Sequence, residues 1–177
     1  MASSSTSFIH KRFTYDVFLS FSGDDTRKTF VDHLYFALQQ KRIRTFKDDD
    51  DIKIGKNIKD ELSKSIEDSK FHVIVFSRNY ASSSWCLDEL AKIMECHRTK
   101  HGHVVCPIFY DVEPSEVRNL CGAVGEAFVK HKEVSIEKWK GALKEIVDLK
   151  GWELKNTCDG KFLHRMSYLF FHCNYGI

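Results

Sequence analysis

The chain has only 2 prolines and 9 glycines among 177 residues, too few for a collagen-like or low-complexity protein, so regular structure can run through most of it. No stretch approaches the roughly 18 apolar residues of a membrane span. The start, Met1-Ala2-Ser3-Ser4-Ser5-Thr6-Ser7, lacks a basic segment leading into an apolar run and does not read as a secretory signal. Ala2 stands where myristoylation needs glycine. Neither charge dominates: 27 basic residues face 25 acidic ones for a net +2, which argues against a dedicated polyanion binder. Cys86, Cys96, Cys106, Cys121, Cys158 and Cys173 form no CxxC or Cys/His zinc spacing. No metal site is expected; buried, reduced thiols in a cytoplasmic protein are. GxGxxG and GxxxxGK[ST] are both missing, which removes the two common nucleotide-phosphate fingerprints.

What is present is a globular composition, 42% hydrophobic and 29% charged, with 14 phenylalanines suggesting a bulky core. At about 150 residues per domain the length allows one domain. Residues 1–12, Ser-rich and then basic, read as a flexible tail, 13–160 as the domain, and 161–177, crowded with Phe162, Tyr168, Phe170, Phe171 and Tyr175, as an atypical aromatic tail or final helix.

Apolar runs of strand length fall at 15–21, 43–46, 71–77 and 104–110, with a short edge strand expected near Gly151-Trp152-Glu153-Leu154. Pro107 is awkward in the fourth, since it cannot donate to a ladder. Between them lie helical patterns: 27–40 with Phe30, Leu34 and Leu38; a second marked by Ile58, Leu62 and Ile66; 85–99 with Leu87, Leu90 and Met94; Pro114 to about Lys132; and a fifth marked by Ile136, Trp139, Leu143 and Ile146. Ser82-Ser83-Ser84 offers caps for the third helix. Strands alternating with helices imply a parallel sheet covered on both faces. Five such units favour an α/β, flavodoxin-like three-layer fold with strand order 2-1-3-4-5.

In such a sheet ligands bind beyond the carboxyl ends of strands 1 and 3. Here those ends are Phe21 to Arg27 and Ser77 to Glu89, and the charged loop from Lys47 to Gly55 can cover the crevice. Glu89 follows Trp85 by one helical turn, which sets an exposed carboxylate beside an indole. A phospho-receiver would use Asp24-Asp25 for magnesium and needs an aspartate ending strand 3, where Ser77 stands. A flavodoxin needs a neutral phosphate loop, which Gly23-Asp24-Asp25 is not. A hydrolase of a nucleotide's glycosidic bond needs a positioned carboxylate, which Glu89 can supply.

Tyr15-Asp16-Val17-Phe18-Leu19-Ser20-Phe21 joined to Gly23-Asp24-Asp25-Thr26-Arg27, with Thr45-Phe46-Lys47-Asp48-Asp49 and Ser84-Trp85-Cys86-Leu87-Asp88-Glu89-Leu90, closely resembles the plant TIR (Toll/interleukin-1 receptor) domain. Residues 107–115 and 139–143 extend the match. The resemblance implies a plant innate-immunity module, cytoplasmic or also nuclear. It would self-associate, as a homo-oligomer or with other TIR domains, and cleave NAD or NADP as substrate at the nicotinamide–ribose bond, with no tightly bound cofactor. Its nucleotide products would act on lipase-like partners and lead to cell death. Glu89 matches the catalytic glutamate. Phe21, Ser22, Gly23, Arg27, Asp48 and Trp85 match the substrate pocket. Cys86 matches a cysteine tied to a second activity on nucleic acid. Asp32 and His33 match one self-association helix, facing a surface from Trp139 to Lys150 that includes Lys144; Gly151 matches a second interface. Most plant members carry Arg where this chain has Ser22, a position expected to be open and wet. A catalytically weak adaptor acting only through TIR–TIR contact is the alternative. No membrane contact is expected.

Overall fold

The computed structural model describes residues 13–47, 57–132 and 134–154, together with Met166 and Phe170. Five parallel strands form one sheet: β1 (Tyr15–Phe21), β2 (Thr45–Lys47), β3 (Ser69–Phe76), β4 (Val104–Tyr110) and β5 (Trp152–Leu154), in the order β2-β1-β3-β4-β5. This is the expected 2-1-3-4-5 arrangement. Register is regular across the centre, with Val17 beside Phe71 and Val73 beside Cys106.

The side-chain alternation of a strand divides the core in two. Val17, Leu19 and Phe21 of β1 join Phe71, Val73 and Val75 of β3 on one face; Phe18, Ile74 and Phe76 point to the other. Helix α1 covers the first face. It begins as a short turn, Gly23–Thr26, passes through a π-helical segment, Arg27–Val31, and continues as Asp32–Gln40, burying Phe30, Val31, Leu34 and Leu38. Met166 and Phe170 are helical and buried on the same face, with the Phe170 ring edge-on to Phe71 at 5.0 Å. The opposite face is covered by α2 (Ile58–Glu67), α3 (Ser84–Thr99), α4 (Pro114–Asn119), α5 (Gly122–Phe128) and α6 (Ile136–Ile146).

Local chemistry sets the boundaries. The Asn57 side chain accepts from the Lys59 amide to open α2, and Ser83, the middle of the three serines, caps α3 by accepting from the Cys86 amide. Helix α1 ends in a Schellman motif: Arg42 takes φ 57°, Ile43 N–H donates to the Leu38 carbonyl, and Arg42 N–H donates to that of Gln39. That motif uses Ile43, so β2 starts at Thr45 rather than at the expected residue 43. The single helix expected from Pro114 to Lys132 is instead α4 and α5. Leu120 at φ 48° and Gly122 at φ 56° break it, while Pro114 and a Glu113/Glu116 capping box start the first piece.

Pro107 fits because of where β5 begins. Ile108 is the first β4 residue paired with β5, through Trp152. The Pro107 carbonyl points at Gly151, so its missing N–H falls on the same, still unpaired side and the ladder to β3 loses nothing. A Cβ on Gly151 would stand 2.7 Å from that carbonyl oxygen and 3.0 Å from Phe109 Cε2. Gly151→Ala is therefore expected to destabilise the fold by about 1–3 kcal/mol through overpacking, read from the urea midpoint.

His72 is fully enclosed in β3. Its Nε2–H donates to the Ile66 carbonyl at 2.8 Å, and its ring stacks on His103 at 5.3 Å. Burial pushes its pKa from 6.5 down to about 4; charge on His103 and His97 acts the same way, against the Ile66 carbonyl. The unfolded chain therefore takes up this proton near pH 6.5 and the folded one only near pH 4. Stability from this residue is complete above pH 6.5 and drains away as pH falls towards 4. At about 1.4 kcal/mol per pH unit the loss is ~3 kcal/mol. Denaturation at several pH values should show it, and His72→Phe should flatten the dependence over that window.

Candidate functional site

The parity of β1 decides which groups meet at its carboxyl end. Ser20 lies on the Phe18 face, under α3, and donates to Glu89 Oε2 at 2.6 Å. Glu89 is only 8% exposed. The expected exposed helical carboxylate is thus corrected: the helical period sets Glu89 beside Trp85, but its side chain turns inward to the strand. Tyr80, in a 3-10 turn (Tyr80–Ser82) before α3, places its hydroxyl 2.8 Å from Ser20 Oγ and 3.0 Å from the Cys86 carbonyl.

Glu89 and Trp85 line a cleft of about 130 Å³ between α2 and α3, with Lys59, Leu62, Asp88 and Lys92 among its other walls. Trp85 is 44% exposed, and Lys59 Nζ lies 5.5 Å from its ring centre. Lys92 pairs with Glu67 at 2.8 Å and with Glu95 at 3.4 Å. Bonds from Lys100 and Lys92 hold the Glu67 carboxyl down at about 2, and Glu67 in turn raises Lys92. The cleft is therefore mixed, an apolar floor rimmed by ammonium groups with one enclosed carboxylate.

Phe21, Gly23 and Arg27 form a second group, outside the lining of that cleft. The Arg27 guanidinium lies over the Phe21 ring at 5.0 Å, and a Cβ on Gly23 would stand 2.6 Å from Arg27 Nη2. Cys86 joins the two groups, its thiol donating to the Phe21 carbonyl at 3.3 Å. That thiol is buried and turned into the protein. Ser22 is corrected from an open position to an enclosed one, 4% exposed, with its carbonyl accepting from the Thr26 hydroxyl at 2.7 Å. Asp48 and the rest of its charged loop, 48–56, lie outside the described residues.

Asp25 answers for the acidic pair. Its carboxylate accepts from Ser77 Oγ at 2.8 Å and from the Asn79 amide at 3.0 Å, bridging the ends of β1 and β3. Trp85 and Glu89, from the expected Ser77 to Glu89 stretch, open onto the cleft between α2 and α3. Sequence reasoning missed Asp25 in this role, along with Ser20, Tyr80, Lys59 and Lys92. A serine on the inward parity of an apolar strand was the one signal available for Ser20.

The expected association residues divide. His33 is exposed, and Phe36, one turn further along α1, is 62% exposed. Asp32 is engaged by Lys47 at 2.9 Å. Lys144 is exposed on α6. Trp139 is not a surface residue: it is fully buried, its indole N–H donating to Asp88 at 2.9 Å. Gly151 has a local reason in its contact with Pro107. Cys86, Cys96 and Cys106 are buried as expected, but Cys121 is exposed at the break between α4 and α5; Cys158 and Cys173 lie outside the described residues.

The TIR-domain family model matches residues 14–174, and the chain belongs to that family. Among curated relatives, the disease resistance protein RUN1 of Vitis rotundifolia is 54% identical over 156 residues, and the TMV resistance protein N of Nicotiana glutinosa is 50% identical over 167. These alignments cover 85% and 91% of this chain but only 12% and 14% of those proteins, so the chain spans about an eighth of their length. Among solved structures, the TIR domains of the activated Roq1 resistosome, which directly recognizes the pathogen effector XopQ, superpose with a TM-score of 0.79 at 46% identity, covering 86% of this chain and 97% of that one. The RPS4–RRS1 TIR heterodimer shares the fold at 22% identity, with a TM-score of 0.53, over 89% of this chain and 96% of that one.

Asp25→Ala removes both bonds of the bridge and is expected to cost about 0.5–1.5 kcal/mol, since the buried Ser77 hydroxyl loses its acceptor while the exposed Asn79 amide can turn to water. Chemical denaturation reads the cost, and faster hydrogen exchange at Asn79 locates it.

Proposed function

We propose that this domain signals in plant immunity by cleaving NAD, or NADP, at the nicotinamide–ribose bond, and that self-association switches it on. The observation that carries the reading is the enclosed Glu89 carboxylate, fixed by Ser20 and opening with Trp85 onto one cleft. Ordinary glycosidases need a second acid to protonate a leaving oxygen. Nicotinamide leaves from a cationic nitrogen: the C–N electron pair goes to the ring, which departs neutral, and no acid is required. What the protein must do is stabilise the cationic ribose left behind. A carboxylate already oriented against the ribose hydroxyls does so with no reorganisation at the moment of cleavage. Water then takes the anomeric carbon and gives its proton to solvent. Trp85 covers the cleft and limits early access of water. The family resemblance and the disease-resistance relatives support the immune setting, in which the nucleotide products would act on lipase-like partners.

The second reading is an adaptor that recruits other TIR domains and turns over little NAD. Enclosed Ser22, in place of the usual arginine, favours it, as does the exposed His33 and Phe36 face of α1.

NAD consumption by the purified chain, raised to high local concentration, separates the two. Glu89→Ala is expected to lower turnover at least about a hundredfold, the usual loss for one electrostatic group at a reacting centre. His33→Ala should lower turnover only where dilution already does. Full turnover in folded Glu89→Ala protein would overturn the enzymatic reading, while cell death that survives the loss of Glu89 would favour the adaptor.

A further inference from the structure

We propose that Ser20 and Tyr80 form a buried hydrogen-bond relay that orients Glu89 and holds its carboxyl ionised at neutral pH, which makes both of them positioning residues for the reaction. Ser20 is 1% exposed, Tyr80 is fully enclosed and Glu89 nearly so. Burial of this kind favours a protonated carboxyl. Something must oppose it if Glu89 is to carry charge, and the geometry supplies two hydroxyls in series.

With Glu89 ionised, counting hydrogens fixes the direction. Ser20 has one hydrogen and gives it to Glu89 at 2.6 Å. Tyr80 also has one, with two acceptors in reach, Ser20 Oγ at 2.8 Å and the Cys86 carbonyl at 3.0 Å. With the Tyr80 hydrogen on Ser20, two O–H dipoles point in line at the carboxylate, each strengthening the other. The Cys86 carbonyl holds the phenol in place when that hydrogen swings back. Tyr80 keeps its proton throughout, because burial pushes the phenol well above 10, with Cys86 and the charge on Glu89 acting the same way, against the Ser20 contact.

The mounting is rigid. Ser20 sits in β1, an interior strand hydrogen-bonded on both sides, in register with Ile74 of β3, and Tyr80 packs edge-on to Phe76 at 4.8 Å. Among the described residues, Lys59 from α2 and Asp88 and Lys92 from α3 share the cleft with Glu89, and Cys86 of α3 lies beside Tyr80. Lys59 lies over Trp85, Lys92 is bonded to Glu67 and Glu95, Asp88 accepts from Trp139, and the Cys86 thiol donates to Phe21.

The effect on turnover rests on the NAD-cleavage reading; the effect on the Glu89 proton does not. The test is a carbon-13 carboxyl titration of Glu89 in the full chain, its signal assigned by its loss in Glu89→Gln, alongside kcat and KM for NAD across pH. In Ser20→Ala the titration midpoint should rise by one pH unit or more, a tenfold change in proton affinity, and in Tyr80→Phe by a smaller amount. The acid limb of kcat should move with it, while KM for NAD changes less than about threefold. If Ser20→Ala does not fold, Tyr80→Phe, which keeps the ring and its packing, carries the test. A moved midpoint in a chain that turns over no NAD would support the relay and count against the reading of function. An unmoved midpoint in folded Ser20→Ala and Tyr80→Phe, including one accompanied by equal activity loss at every pH, would overturn the relay.

Discussion

The hydrogen bond from Ser20 to Glu89 joins residues 69 positions apart, and much of the site's geometry follows from it. It ties α3 to β1 near that strand's carboxyl end. It draws a carboxylate out of water and leaves it beside an indole. A helix packed on a sheet can slide or rotate at little cost where the contact is purely apolar, but a short bond to a charged group fixes both its register and its roll. Trp85, Asp88 and Lys92 then take their places around the cleft because they share that helix, and Cys86 reaches the Phe21 carbonyl for the same reason.

The sheet makes this possible by being two-faced. Val17, Leu19 and Phe21 belong to the core under α1, while Phe18 belongs to the core under α2 to α6. Ser20 shares the parity of Phe18 and so is a polar residue on the floor of the larger core, where an unbonded hydroxyl would be costly. Glu89 meets that need, and Tyr80 completes it. The same two-facedness separates the functional groups: Arg27 stacks on Phe21 at one side of the strand end, while Glu89 and Trp85 open on the other. Asp25 spans the ends of β1 and β3 between them.

Much of this was legible from residue patterns. Continuous apolar runs marked β1, β3 and β4, helical spacing marked α1, α2, α3 and α6, and their alternation led to the strand order. The Trp85/Glu89 spacing pointed to the pocket. What was not legible depended on long-range pairing or on backbone states that no side chain announces. Ser20 and Glu89 are remote in sequence, so the inward turn of Glu89 was invisible to helical periodicity. Leu120 in a left-handed conformation divided one expected helix, and the Schellman motif at Arg42 shortened β2. Trp139 sits on the apolar stripe of α6 and is buried against Asp88, which leaves Lys144 on the exposed face of that helix.

The most direct test of the account is a crystal structure of the assembled chain with an NAD analogue whose nicotinamide–ribose bond cannot break. The account predicts the ribose in the cleft between α2 and α3, its hydroxyls within about 3 Å of the Glu89 carboxylate, with Ser20 retained on Oε2 and Trp85 closed over the sugar. An analogue bound elsewhere, or a ribose out of hydrogen-bond reach of Glu89 in a fully assembled complex, would contradict it.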